Sequence, residues 1–302
     1  MATGASTADV AVILVDARHG LTRQTRRHAL LVSILGIRRV ALAVNKMDLV
    51  GWSQTRFEEL VSGFNAFTGS FGFTEVRAIP LSAKNGDNVV DAGVAAPWYT
   101  GGPLLAYLET VPVRAEALNA PFRMAVQWVN RPNLDFRGYT GTAISGSINV
   151  GDPIVVAASG KLSHVKEILT YEGPQPSATA GDAVTITLTD EVDIARGDLL
   201  VNPTSRPEVS DQFAAHLIWM SEEQMVPGRS YLARIGTKSV PVTITSIKHK
   251  IDVNTREHLA THTLGLNDIA FCNLSTSVPV AFDPYEQNRR TGAFIIIDRF
   301  NN

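Results

Sequence analysis

The spacing of apolar and polar positions changes near residue 115. Before that point, continuous apolar runs of strand length alternate with helical periodicity: the runs lie at 10–15, 40–44 and 76–81, and the periodic stretches at 22–35 and 53–67. Apolar strands separated by amphipathic helices are typical of βαβ units, whose parallel sheet is buried on both faces. The first part of the chain therefore predicts an α/β fold. A last helix is expected after it, with Pro103 as the first helical residue.

After Pro112 the helical periodicity disappears and short alternating segments take over, at 122–129, 138–148, 153–157, 164–170 and 183–188. Gly-containing turns separate these segments, which is typical of an all-β barrel. A Pro-containing linker at 202–207 precedes a second β-rich stretch, with apolar segments at 214–220, 231–235, 240–247 and 294–297. The sequence thus predicts an α/β domain at 1–115 and two small β-barrels at 118–204 and 208–302.

Composition narrows the class of protein. The 302 residues carry 27 Lys and Arg against 29 Asp and Glu, so the chain lacks the basic footprint of a dedicated nucleic-acid binder. Its single cysteine, Cys272, excludes a disulfide framework. The longest apolar runs fall short of the ~18 residues that a membrane span needs. We expect a soluble, cytoplasmic protein with no membrane or nucleic-acid partner.

The chemistry is concentrated after the second and third apolar runs. The run at 40–44 ends in Asn45-Lys46-Met47-Asp48, the form of sequence that recognises a guanine base. The Asp48 carboxylate can accept hydrogen bonds from the ring N–H and the exocyclic amine of guanine, whereas adenine offers the opposite pattern. Asn45 can bridge the base edge and a neighbouring loop, and the aliphatic stem of Lys46 can lie over the base plane. Ligands bind at the carboxyl ends of parallel strands, which is where this motif lies.

The third run ends in Ser82-Ala83-Lys84, where a backbone N–H could donate to the guanine carbonyl oxygen. Two such motifs in order, each after a predicted strand, favour a guanine site over ordinary polar loops. The chain has no Gly-x-x-x-x-Gly-Lys-Ser/Thr phosphate loop. It also has no Asp-x-x-Gly segment before the first run to bind Mg²⁺. The sequence therefore carries the base-reading half of a GTPase without the phosphate half.

With these motifs the chain resembles the translation-factor-type GTPases, in which a G domain precedes two β-barrels. More specifically, it resembles the GTPase subunit of bacterial ATP sulfurylase (sulfate adenylyltransferase), over essentially all 302 residues. In the first two domains the resemblance rests on MATGASTADVAVILVDAR, LAVNKMDLV and RGYTGTAISGSINVGDPIVV. In the last domain it rests on LIWMSEEQMVPGRSYLARIGT, IDVNTREH and DPYEQNRRTGAFIIIDRF.

The resemblance implies a function. GTP hydrolysis would be coupled to the formation of adenosine 5′-phosphosulfate from ATP and sulfate, in sulfate assimilation and cysteine biosynthesis. The implied ligand is GTP, with Mg²⁺ in the full-length family member. The implied partners are the small catalytic subunit of ATP sulfurylase and an APS kinase, fused or associated. The implied guanine-binding residues are Asn45, Lys46, Met47, Asp48, Ser82, Ala83 and Lys84, with no catalytic residue and no metal ligand.

The same comparison leads us to expect a chain truncated at both ends. Residues 1–115 would then be the C-terminal part of a P-loop GTPase domain without phosphate loop and switches. The second barrel would lack its last strand, and the chain alone would be inactive. Two other classes stay open: an elongation-factor-like GTPase that binds tRNA or the ribosome, and an inactive barrel-pair interaction module.

Other distinctive residues have ordinary structural interpretations. Trp98 and Tyr99 are expected to anchor the loop before the last helix of the α/β domain, and Cys272 is expected to be a buried thiol. His258 and His262 lack the glutamate and the third ligand of a helical zinc site. A solvated helix face is expected for Arg23, Arg26 and Arg27. A simple turn, or a contact with another domain or a partner, remains open for Asp283, Asn288, Arg289 and Arg290.

Overall fold

The computed structural model of the chain describes residues 2–113, 115–133 and 136–299. It contains two compact units. The first comprises the described residues up to Val113 together with Ile251–Leu259, and the second comprises the described remainder. Among the described residues, no helix combines the length and the apolar character needed to cross a lipid bilayer.

A three-stranded parallel sheet forms the middle of the first unit, in the order β1-β2-β3. Its strands are β1 (Val10–Asp16), β2 (Arg39–Asn45) and β3 (Glu75–Pro80). The helices are α1 (Ala2–Ala5), α2 (Arg23–Ile34), α3 (Gln54–Thr68) and α4 (Leu104–Thr110), and a 3-10 turn spans Met47–Val50. The α/β prediction is confirmed.

Side-chain caps begin the two longer helices. The hydroxyl of Thr22 accepts a hydrogen bond from the backbone N–H of Thr25 at 3.2 Å, and that of Ser53 accepts one from Arg56 at 3.3 Å. Such caps satisfy N–H groups that have no partner inside the helix. Pro103 was predicted as the first helical residue. It instead occupies the N-cap of α4, in an extended conformation with ψ of 165°.

The edge strand β1 departs from the prediction that both faces of the sheet are buried. Ile13 and Val15 are buried, whereas Val12 and Leu14 are 39% and 60% exposed. Successive side chains of a strand point to opposite faces, so one face of β1 is covered and the other is open in the described part of the chain. The central strand β2 does match the prediction, because residues 40–44 are all fully buried.

A closed barrel follows in the second unit. After the short helix α5 (Ala115–Asn119), its strands are β4 (Arg123–Asn130), β5 (Gly138–Ser145), β6 (Ser147–Asn149), β7 (Pro153–Val156), β8 (Leu162–Thr170), β9 (Gly173–Gln175), β10 (Ser177–Thr179), β11 (Ala183–Leu188) and β12 (Leu199–Val201). The sheet order of the barrel is β11-β5-β4-β12-β7-β8-β9, and a further β11–β8 pairing closes it. β6 and β10 form a separate two-stranded antiparallel sheet. Its core includes Met124, Tyr139, Ile168, Ile186 and Leu200.

A second antiparallel sheet completes the unit. Its strands are β13 (Glu208–Ile218), β14 (Ser230–Ile235), β15 (Lys238–Ile251), β17 (Ile269–Phe282) and β18 (Phe294–Ile297), with helix α6 (Arg289–Gly292). The two-residue strand β16 (His258–Leu259) lies in the segment that belongs to the first unit. The order is β13-β17-β15-β14-β18, and β16 pairs with β15. Within the described residues, β13 and β18 do not pair with each other. Cys272 on β17 is fully buried, as expected, and burial raises the pKa of its thiol to about 11.

Some elements of the second unit were not predicted. Helix α5 lies where helical periodicity was expected to have ended, and the short strands β9, β10 and β12 were missed. The long strand β17 was missed because its outward positions Asn273, Ser275 and Ser277 are small and polar, which weakens the strand signal. Hydrogen-bonded pairing with β13 on one edge and β15 on the other stabilises the strand, although its local strand propensity is weak.

The segment Ile251–Leu259 belongs to the first unit although its sequence lies between strands of the second sheet. The Asp252 carboxylate accepts hydrogen bonds from the N–H groups of Asn254 and Thr255, at 2.7 and 3.0 Å. The guanidinium of Arg256 lies over the ring of Phe71 at 5.9 Å and donates to the hydroxyl of Ser70. These contacts fix the segment against the end of α3.

A buried ion pair joins the closed barrel to the second sheet inside the second unit. The guanidinium of Arg123 on β4 donates to both carboxylate oxygens of Asp283, at 2.9 and 2.8 Å, and Thr291 donates to the same carboxylate at 2.6 Å. Asn288 donates to the hydroxyl of Ser145 at 3.1 Å. For Asp283 and Asn288, the structure therefore shows a contact with the preceding barrel rather than a simple turn.

Removing one partner of this pair should cost far more than removing the pair. We expect Asp283→Asn to lower the free energy of unfolding by about 3–5 kcal/mol, because Arg123 would keep a buried charge without its counter-ion. In an Arg123→Met background the same substitution should cost much less. Urea unfolding followed by fluorescence measures both.

The matched control is Asp193→Asn, which breaks the exposed Arg137–Asp193 pair of the same unit and should cost at most about 1 kcal/mol. Equal costs for Asp283→Asn in the two backgrounds would contradict the coupling.

Candidate functional site

Three loops meet at the carboxyl edge of the parallel sheet. β1 ends at Asp16, which pairs in register with Asn45 at the end of β2. Pro80 ends β3 beside Val44 and leads into the loop at 82–84. The two sequence motifs and one further carboxylate are therefore brought together at the edge where parallel sheets bind ligands.

The side chain of Asn45 ties the second loop to the third. Its Oδ1 accepts a hydrogen bond from its neighbour's backbone, the Lys46 N–H, at 2.7 Å. It also accepts one from the Ala83 N–H at 3.0 Å. A backbone bond from Met47 N–H to the carbonyl of Leu81, at 3.3 Å, runs beside them. One amide oxygen thus holds both predicted motifs in a common geometry.

The loop after β2 is folded tightly. Lys46 has φ of 64°, in the left-handed region that a non-glycine residue rarely adopts, and the 3-10 turn starts immediately after it. Met47 is fully buried beneath the loop, so the side chains of Lys46 and Asp48 are left on the outer side, each half-buried. Such strain persists only where surrounding contacts determine the conformation.

An aromatic cluster contacts the loop after β2. The indole N–H of Trp98 donates to the carbonyl of Trp52 at 3.0 Å, and the Trp98 ring lies 5.3 Å from that of Phe57. The Tyr99 hydroxyl donates to the carbonyl of Gly102 at 3.1 Å. A Cβ at Gly101 would lie 2.5 Å from the Tyr99 hydroxyl, so a side chain at this position would force the Tyr99 ring to shift. Trp98 and Tyr99 anchor the loop before α4, as predicted.

Several polar atoms at this edge have no hydrogen-bond partner within the part of the chain that the structure describes. They are the Asp48 carboxylate, the side-chain N–H₂ of Asn45, the Lys84 N–H and the fully buried Ser82 hydroxyl. Polar groups of this kind are normally satisfied by protein or water. The set offers a two-oxygen acceptor and two N–H donors on tied loops, which fits the edge of a guanine base. The Ala83 N–H does not belong to this set because it is bound to Asn45.

Asp16 is a site residue that the sequence analysis missed. Its carboxylate accepts hydrogen bonds from the ammonium of Lys46 at 2.8 Å and from Arg18 through the backbone N–H, Nε and Nη2, at 3.0, 3.1 and 2.8 Å. The Arg18 bonds, assisted by Lys46, hold the pKa of Asp16 well below its ordinary range. The signal was available, because Asp16 is the carboxylate that ends the first apolar run.

An apolar groove of about 690 Å³ runs along the open side of β1 to Asp16, Asn45 and Lys46. This volume lies in the range of small-molecule sites. The lining includes Val12 and Leu14, the two exposed apolar residues of that strand, and also Thr25 on α2. The groove therefore continues the candidate site along the uncovered edge of the sheet.

Other candidate positions do not join the site. Within the described residues no group of three or more His, Cys, Asp or Glu side chains could hold a metal ion, and this includes His258 and His262. Arg23 is exposed as expected, whereas Arg26 and Arg27 are half-buried, so the solvated-face prediction was wrong for them. The guanidinium of Arg26 lies 5.3 Å from the centre of the Phe67 ring.

Two stretches of the chain match known protein families. Residues 1–132 match the elongation factor Tu GTP binding domain, and residues 212–302 match the GTP-eEF1A C-terminal domain-like family. The first match contains the whole candidate site, and the second begins within β13 and contains the rest of the second sheet.

Curated relatives match the chain from end to end. It is 54% identical over 303 residues to the bifunctional enzyme NodQ of Azospirillum brasilense, covering 100% of this chain and 49% of that protein. It is 55% identical over 299 residues to sulfate adenylyltransferase subunit 1 of Methylorubrum extorquens strain PA1, covering 99% of this chain and 64% of the relative. The chain thus spans about half to two thirds of the length of these relatives.

Solved structures show the same architecture. A crystal structure of sup35 complexed with GDP aligns with a TM-score of 0.58 at 26% identity, covering 99% of this chain and 78% of that one. A structure of sup35 complexed with GMPPNP aligns with a TM-score of 0.55 at 27% identity, covering 98% and 76%. The whole fold, and not the first domain alone, therefore has translation-factor GTPases among its structural neighbours.

Proposed function

We propose that the whole protein is the GTP-binding regulatory subunit of sulfate adenylyltransferase, because the chain is 55% identical to sulfate adenylyltransferase subunit 1 and its residues 1–132 match the elongation factor Tu GTP binding domain. In this proposal GTP hydrolysis is coupled to the formation of adenosine 5′-phosphosulfate from ATP and sulfate. In this proposal the domains are a partial G domain at 1–115 and β-barrels at 118–204 and 208–302. The proposal keeps the expected cytoplasmic location.

The observation that carries the proposal is the set of open polar atoms on the two loops tied by Asn45. The Asp48 carboxylate would accept the ring N–H and exocyclic amine of guanine. The Asn45 amide N–H₂ would donate to the base edge, and the free Lys84 N–H would donate to the guanine carbonyl oxygen. The aliphatic stem of Lys46 would cover one face of the base.

The remaining loop residues have supporting roles in this assignment. Met47 fills the space under the loop, and Ala83 gives its N–H to Asn45 rather than to the base. Ser82 is fully buried, and its hydroxyl has no hydrogen-bond partner among the described residues. We assign no residue of this chain to phosphate or Mg²⁺. Bound GTP would supply the phosphoryl group that is hydrolysed. The residues of these two loops bind and orient its guanine base.

The proposed partners follow from the relatives. A protein called subunit 1 implies a second subunit, which we propose to be the small catalytic one that carries out adenylyl transfer. The likeness to a bifunctional enzyme is consistent with an APS kinase, fused or associated. The elongation-factor-like alternative is supported by the two family matches, which carry elongation-factor names, and by the likeness to sup35 at 26% identity. We favour the adenylyltransferase subunit because the identity to it is 55%.

Purification of the protein from its complete reading frame tests the function as a whole. We expect it to co-purify with a second, smaller protein. The complex should form adenosine 5′-phosphosulfate from ATP and sulfate faster with GTP than with a non-hydrolysable GTP analogue. Co-purification with tRNA, and no adenosine 5′-phosphosulfate from the complex, would favour the elongation-factor-like alternative.

Asp48→Asn tests the base-reading role directly. Xanthine carries a carbonyl where guanine carries the exocyclic amine, so an amide at position 48 becomes the better partner. In the protein from the complete reading frame, we expect GDP affinity to fall about tenfold or more and XDP affinity to rise, since unpaired polar groups cost about 1–3 kcal/mol. Competition binding with GDP and XDP measures the ratio of the two affinities.

Asp91→Asn is the matched control, because Asp91 is an exposed carboxylate of the same unit. An unchanged ratio of GDP to XDP affinity in Asp48→Asn would refute the assignment of Asp48.

A further inference from the structure

Within the described residues, neither Arg18 nor Lys46, two cations at the same edge of the sheet, pairs with the Asp48 carboxylate that is proposed to read the base. Within the described residues Asp48 makes no salt bridge, although its charge acts on the guanidinium of Arg18. Both Arg18 and Lys46 bind Asp16 instead, with closest contacts of 2.8 Å each. The side chains of Arg18 and Lys46 are 41% and 44% exposed, so packing alone does not hold them there.

Asp16 has no capacity left for a ligand. A carboxylate offers about four acceptor sites on its two oxygens. Here Oδ1 accepts from the backbone N–H and Nε of Arg18, and Oδ2 accepts from Nη2 of Arg18 and from the ammonium of Lys46. All four sites are filled by protein donors, so a role for Asp16 must act through Arg18 and Lys46.

The backbone places Asp16 where it can do this. The parallel register sets Asp16 next to Asn45, one residue before Lys46. The turn after β1 is closed by bonds from the N–H groups of His19 and Gly20 to the Asp16 carbonyl, at 3.1 and 2.8 Å. Ala17 donates to the carbonyl of Asn45 at 2.9 Å. The carboxylate is therefore fixed on a strand end, while the two cations it holds are on exposed, flexible stems.

We propose that Asp16 is a positioning residue of the guanine site: by binding the ammonium of Lys46 and the guanidinium of Arg18, it fixes the stem of Lys46 and keeps the Asp48 carboxylate free to accept the base. This inference rests on the proposed function. Without Asp16, Arg18 and Lys46 would lose the anion that both bind, and Asp48, whose charge acts on Arg18, would be an open carboxylate at the same edge. A cation that pairs with Asp48 competes with the two N–H groups of guanine.

A mutant cycle separates this role from a purely structural one. In the protein from the complete reading frame, Asp16→Asn should lower GDP affinity about five- to tenfold, the size expected for a partly buried charged contact. In a background with Arg18→Gln and Lys46→Met, the same substitution should change GDP affinity less than about twofold. Calorimetry measures the affinities, and circular dichroism checks that each variant is folded.

A structural role of Asp16 in the β1–α2 turn would persist in that background, because it does not need the two cations. Glu59→Gln is the matched control, since it removes the exposed Arg56–Glu59 pair of the same unit and should leave GDP affinity unchanged. In nucleotide-free wild-type protein, the Lys46 ammonium should give a slowly exchanging ¹⁵N NMR signal that Asp16→Asn abolishes.

The outcomes distinguish the two proposals. A wild-type protein that binds neither GDP nor GTP would overturn the proposed function and this inference with it. Normal GDP binding by wild type and an equal loss for Asp16→Asn in both backgrounds would overturn this inference alone. Undiminished affinity in Asp16→Asn, or a rapidly exchanging Lys46 ammonium in wild type, would also overturn it alone.

Discussion

The amide oxygen of Asn45 is the constraint on which the candidate site depends. It accepts two backbone N–H groups, one from its own loop and one from the loop after β3. Strand ends in a parallel sheet lie side by side, but the loops that leave them are free to diverge unless something joins them. Because one oxygen joins these two, Asp48 and the Lys84 N–H lie on loops that are tied to each other.

Charge at the same edge is arranged so that one carboxylate is saturated and the other is open. Asp16 takes four donors, whereas Asp48 makes no salt bridge within the described residues. The difference follows from position, because Asp16 is the last residue of a strand and Asp48 lies in a turn that starts from a left-handed lysine. Of these two carboxylates at one edge of the sheet, one is thus saturated by protein donors and the other is open.

The sequence was most informative where a residue type has one physical purpose. The helix over the periodic stretch at 53–67 and the buried run at 40–44 could be recognised because residue type and spacing together leave few alternatives. The same reasoning singled out the two loop motifs, which the structure brings together at one edge of the sheet. Arg123 and Asp283 are 160 positions apart. The sequence could therefore suggest that Asp283 contacts another domain or a partner, but it could not identify Arg123 as the residue it binds. Strand β17 was missed because pairing on both edges, rather than local preference, makes it a strand. Asp16 was overlooked because its proposed role depends on its contact with Lys46, which lies 30 residues later in the sequence.

A structure of the protein from the complete reading frame with GDP bound tests the central claim most directly. The account predicts the Asp48 carboxylate within about 3 Å of both the ring nitrogen N1 and the exocyclic amine of guanine. It also predicts the Lys84 N–H at the guanine carbonyl oxygen, with the Asn45 bridge between the loops intact. A base bound elsewhere, or a base at this edge with Asp48 turned away from it, would contradict the account.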